Sequence, residues 1–88
     1  MLRYDHALEQ VQEHEEEWMA ALTSGSIQDR AQAIGELRNM YSDMLDLPFD
    51  SLSEDFLSNA NNLELARQAA LGNIEAYNQL AENAQKDI

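Results

Sequence analysis

The sequence predicts an all-α protein, a small helical bundle. An antiparallel hairpin of two helices is followed by a short third helix or ordered loop and then a long alanine-rich C-terminal helix. Three observations carry this. Apolar residues recur at helical spacing along most of the chain. Cap and turn residues stand where each stripe begins or ends. Only three Gly and one Pro interrupt the chain, and no segment reads convincingly as a strand.

The first helix is expected over Tyr4 to Leu22, YDHALEQVQEHEEEWMAAL. At roughly 100° per residue, Tyr4, Ala7, Leu8, Val11, Trp18, Ala21 and Leu22 fall on one side and Asp5, Glu9, Glu13, Glu16 and Glu17 on the other. Asp5 is the expected N-cap, and Thr23-Ser24-Gly25 the stop, with Gly supplying the left-handed C-cap conformation. Ser26 followed by Asp29 resembles a capping box and opens the second helix, which runs to about Leu45 before Pro48. Its stripe is Ile27, Ala31, Ile34, Leu37, Tyr41, Met44 and Leu45, and so short a connection implies an antiparallel hairpin. Glu15 interrupts the first stripe. In simple antiparallel register Arg38 or Arg30 lies about a turn away, so one of them is the expected partner of Glu15.

Residues 46 to 62, DLPFDSLSEDFLSNANN, are irregular, although Ser51 and Glu54 have capping-box spacing for a short helix. The last helix is expected from Asn61 or Asn62 to about Ala84, with the stripe Leu63, Ala66, Ala70, Ile74, Tyr77, Ala81 and Ala84 and with Gly72 inside it. Small side chains permit close approach, either within the chain or in a homodimer through this helix.

A chain of 88 residues makes one domain, 1–88. At that size folding buries only about 60 to 65% of the surface, so the core is thin. There is no apolar run of membrane-spanning length and no secretory signal, and cysteine is absent, so a cytoplasmic protein is expected. Seventeen acids against five bases give a net charge of −12, which repels nucleic acid and anionic lipid. Direct nucleic-acid or membrane binding is therefore not expected.

Catalytic and cofactor signatures are missing. The two His, His6 and His14, sit on one acidic helix with no nucleophile placed beside them, and no Gly-rich phosphate loop follows a strand. His6 with Glu9 and His14 with Glu17 have ligand-like spacing, but a carboxylate-bridged metal bundle needs matching sets from its other helices, and those carry no His. No enzyme activity, cofactor or metal is expected. The few bases also argue against a small anionic ligand between protomers.

Acid placement is more informative than acid content. Glu9, Glu13 and Glu16 succeed one another at i+4 and i+3 with no interleaved Lys or Arg, although mixed signs would stabilise the helix by about 0.2 to 0.5 kcal/mol per pair. Glu15, Glu16 and Glu17 also lie in the C-terminal half, the end where the helix dipole disfavours anions. A second cluster, Asp43, Asp46, Asp50, Glu54, Asp55 and Glu64, contains no base. The expected partner is a protein with a basic surface, met by Glu9, Glu13, Glu16, Glu17, Asp43, Asp46 and Asp50, with Tyr41 as an exposed anchor.

In size, charge and helicity the chain is similar to phage-encoded inhibitors of host defence, anti-CRISPR proteins among them, and to bacteriocin immunity proteins. The colicin DNase immunity proteins have similar length and a short third helix, but where they carry paired Tyr this chain has Leu52 to Leu57, LSEDFL. The resemblance implies a non-enzymatic inhibitor whose negative ridge blocks a nucleic-acid-binding surface of its partner. The alternative is a small homo-oligomeric structural or assembly subunit, such as a virion or adaptor protein, with the acids serving solubility.

Overall fold

The hairpin turn at Thr23-Ser24-Gly25-Ser26 sets the architecture. A computed structural model describes residues 3–88, with side chains from Asp5 onward. Its helices are α1 (Arg3–Ser24), α2 (Ile27–Leu45), α3 (Glu54–Leu57), α4 (Ala60–Ala70) and α5 (Ile74–Asp87). α1 and α2 pack antiparallel, α4 and α5 form a second hairpin, and α1 lies against both α2 and α4. The protein is a small all-α bundle, as the periodicity predicts.

Local chemistry explains each boundary. Gly25 does not take the left-handed conformation expected of it, which Gly72 alone of the described glycines adopts; it is required because a Cβ here would stand 2.7 Å from the Ala21 carbonyl. The Ser26 hydroxyl accepts the Asp29 N–H at 3.1 Å and opens α2. Asp5, expected as a cap, instead lies inside the first turn of α1. Ser53 rather than Ser51 caps α3, accepting from the Phe56 N–H, while the Ser51 hydroxyl donates to the Pro48 carbonyl at 2.7 Å. Asp87 reinforces that cap from the far end of the chain, accepting the Ser53 N–H at 2.8 Å.

The C-terminal segment corrects the expected single helix. It breaks at Leu71-Gly72-Asn73, where Gly72 has φ +99°. The Gly72 N–H donates to the Ala69 carbonyl and the Asn73 N–H to the Gln68 carbonyl, both at 3.0 Å, which is a Schellman C-cap. The Asn73 side chain then accepts from Ala76 N–H and starts α5. Asn59, not Asn61 or Asn62, caps α4. The break folds the alanine stripe back on itself, and Asn83 donates to Asn62 at 3.0 Å across the hairpin.

The core is built on Trp18, Tyr41, Leu37, Met40, Met44, Leu57, Leu63 and Leu80, all fully buried, with Ala66, Ala69, Ala76 and Ala84 packed at the close approaches. Three residues placed on core stripes by periodicity are outside it: Ile27 is 88% exposed, Ile74 73%, and Ala31 is exposed as well. Ile27 and Ile74 are the first residues of α2 and α5, and Ala31 follows Ile27 by about one turn.

Candidate partner-binding surface

α1 presents its acids where the fold leaves them in water. Glu9, Glu13, Glu16 and Glu17 are all exposed, opposite the face that buries Ala7, Val11, Trp18 and Leu22. His14 lies half-buried beside them, 3.7 Å from Glu13 and 3.6 Å from Glu17, with its ring 5.6 Å from that of Trp18.

What isolates this ridge is where the bases go. Arg38 lies 3.6 Å from Asp50 with its guanidinium 5.8 Å over the Phe49 ring. Arg67 holds Glu64 at 2.7 Å, and Lys86 holds Glu82 at 3.4 Å. Arg30 donates to the Leu22 carbonyl at 3.0 Å, satisfying a helix-end acceptor. Among the residues whose side chains are described, Asp5 onward, no Lys or Arg pairs with Glu9, Glu13, Glu16 or Glu17.

Glu15 does not pair with Arg38 or Arg30. It faces α4, 3.9 Å from Arg67, whose tighter bond is to Glu64. The simple hairpin register misplaces it because Glu15 stands on the α4-facing flank of α1, beside Val11 and Gln12, rather than against α2. Hydrogen bonds from Arg67 and then Gln68 hold the Glu64 carboxyl down to about 2, while the same ion pair raises Arg67 above its ordinary value.

Asp43, Asp46 and Asp50 of the second acidic cluster lie at the end of α2 and in the segment after it, whereas Glu64 is on α4 beside Arg67. Asp46 adopts φ 53° as the C-cap of α2, with its N–H donating to the Ser42 carbonyl. Asp43 is half-buried, and Asp50 is 85% exposed beside Arg38. Tyr41 is not an exposed anchor. It is wholly buried, edge-on to Phe56 at 5.2 Å, because it continues the inward face of α2. Its hydroxyl has no hydrogen-bond partner among the described residues, and burial pushes its ionisation well above the usual tyrosine range.

Sequence reasoning passed over the groove between α1 and α2. It has a volume of about 430 Å³, bounded by Trp18, Ala20, Ala21 and Ala33 and edged by Glu17, Asp29 and Glu36. The Trp18 indole donates to Glu36 at 2.7 Å and so fixes that carboxylate at the groove wall. The available signal was the run of small residues facing each other near the hairpin turn.

No helix of the described residues is long and apolar enough to cross a membrane, and no group of His, Asp and Glu among them converges as metal ligands do. The surface defines a class: a small acidic helical bundle with an uncompensated carboxylate ridge. Compared with protein-family models, curated proteins and solved structures, the chain has no match.

Proposed function

We propose that this protein is a non-enzymatic, cytoplasmic binding module. Its α1 ridge occupies a basic, nucleic-acid-binding surface of a partner protein, in the manner of a phage anti-defence, anti-CRISPR-type or immunity-type inhibitor. The observation that supports it is the uncompensated ridge. Glu9, Glu13, Glu16 and Glu17 share one exposed face, while Arg30, Arg38, Arg67 and Lys86 are engaged elsewhere in the fold. Uncompensated charge on a rigid helix raises the encounter rate with a cationic surface and offers carboxylates at the spacing of one helical turn, about 5.4 Å. Asp43, Asp46 and Asp50 extend the negative surface offered to the same partner.

The test is capture from host lysate with wild type and with a Glu9/Glu13/Glu16/Glu17→Gln bait, washed at low and moderate salt. Retention of one basic protein by the wild type alone, competed by nucleic acid, is the expected result. Identical captures by both baits would overturn the reading. The assembly-subunit alternative draws its support from Leu71 and Ile74, which are 66% and 73% exposed at the α4–α5 turn. The alanine stripe expected to form a homodimer seam is largely buried inside the chain. Light scattering across a concentration series separates the two readings, since only a self-associating subunit gains mass.

A further inference from the structure

We infer that the groove between α1 and α2 is a socket for an arginine side chain projecting from the partner's basic surface; this rests on the binding-module reading above. Three features point to that occupant. The groove walls are apolar where a side-chain stem would lie, along Ala20, Ala21 and Ala33, and its volume of about 430 Å³ falls within the ~300–1,000 Å³ typical of ligand-sized clefts. Its edge carries three carboxylates, Glu17, Asp29 and Glu36, and no Lys or Arg. Glu36 is half-buried and already oriented: Oε1 takes the Trp18 indole N–H at 2.7 Å, while Oε2 has only a 3.4 Å contact from Gln32.

A guanidinium suits this arrangement better than an ammonium. Its planar fork of donors can reach Oε2 of Glu36 and a second carboxylate together, and its weaker hydration lowers the cost of entering a partly closed cleft. Glu17 also belongs to the exposed ridge, so ridge and socket form one continuous surface. The ridge attracts a basic partner generally; the socket selects for shape.

Trp18 is the sole tryptophan and its indole N–H touches the socket carboxylate, so its single indole resonance reports occupancy directly. The experiment titrates the isotopically labelled full chain with a short arginine-rich peptide, with a lysine peptide of equal length and charge, and with spermidine. The expected result is saturable movement of the Trp18 indole and the Gly25 and Ala33 amides by the arginine peptide. The lysine peptide and spermidine should act at least about tenfold more weakly. Glu36→Gln, which preserves the indole bond, should weaken the arginine peptide about tenfold. Ala20→Leu, at an exposed position, should fill the groove and weaken it similarly without touching a charge. Equal movement by all three cations, or indifference to both substitutions, overturns the socket. Shifts confined to the Glu9, Glu13 and Glu16 face with the indole still overturn the socket and leave the ridge reading standing. No shift anywhere at low salt overturns both.

Discussion

Replacing Glu13 with Lys should make this protein more stable and less able to bind. Glu13 is the hub of the ridge, with Glu9 four residues before it and Glu16 and Glu17 three and four residues after. Each like-charge pair at this spacing costs about 0.2 to 0.5 kcal/mol and each opposite pair returns as much, so three pairs swing together by about 1 to 3 kcal/mol. The Glu13 side chain is 69% exposed, and a Lys preceding Glu is the weaker orientation. Solvent screening and geometry therefore reduce the gain to about 1 kcal/mol. For a domain of this size that raises Tm by about 4 to 8 °C. Thermal and urea denaturation at low ionic strength measure it, with the midpoint rising at constant m. Near 1 M salt, where the Debye length is about 3 Å, the difference should shrink. If Glu13→Lys at low salt leaves Tm unchanged or lowers it with helicity intact, the ridge imposes no strain, and the inference from charge placement to function loses its footing.

Four further outcomes follow from particular contacts. Tyr41→Phe removes a buried hydroxyl with no partner among the described residues and should stabilise by about 0.5 to 2 kcal/mol; a loss in urea denaturation would mean that the hydroxyl is bonded in solution. Gly72→Ala meets no neighbouring atom but forces an L-residue to φ +99°, so it should destabilise by about 1 to 2 kcal/mol, read from the same curves. The Glu64 carboxyl is depressed in the folded state to about 2, so its stabilising contribution is complete above about 4.5 and is lost as pH falls through about 2. Glu64→Gln should flatten that acid limb in a Tm–pH series while leaving its shape near neutrality unchanged. Finally, Arg67→Gln should free Glu64 and Glu15 together, and its effect should be non-additive with Glu64→Gln in a double-mutant cycle.

The first hairpin was legible because its signals are local and agree: periodic stripes of more than four turns, a glycine that fits a closed turn, and a serine cap three residues before Asp29. The C-terminal break was not. Gly72-Asn73 is a C-cap followed directly by an N-cap, but Ala66, Ala70, Ile74, Tyr77 and Ala81 keep helical spacing straight across it. A stripe of small residues carries too little pattern to show where one face ends and another begins. Glu15 and Tyr41 were misplaced for a different reason: their surroundings are set by which side of α1 receives α4 and by how α3 closes over α2. Those are long-range contacts that periodicity along one helix does not encode. The ridge acids Glu9, Glu13, Glu16 and Glu17 were legible because exposure needs no partner, whereas the socket carboxylates Asp29 and Glu36 acquire meaning only when α2 lies beside Trp18.

The division of charge between fold and surface is what ties these observations together. A bundle of 88 residues with net charge −12 repels itself, and spreading its few bases along the most acidic helix would be the simplest relief. Beyond Arg3 at its N-terminus, α1 carries no base, and the four bases whose side chains are described lie elsewhere. Arg30 closes the end of α1, Arg38 ties α2 to the loop before α3, Arg67 joins the α1–α4 seam, and Lys86 sits on α5. The three arginines stand at junctions between elements, where a cation satisfies a helix-end carbonyl or a carboxylate from a neighbouring segment, while Lys86 pairs with Glu82 within α5. The outer face of α1 is left to be neutralised by something else. Salt does this partially, so Tm should climb with ionic strength; a basic partner does it more completely because it brings its charges at fixed positions. A partner that saturates the ridge should therefore raise Tm beyond what salt alone achieves, and should do so less for Glu13→Lys, in which part of the repulsion is already relieved. Calorimetry of the four combinations, wild type and variant with and without partner, reads that coupling directly. Equal partner-induced shifts in both proteins would place the contact away from α1.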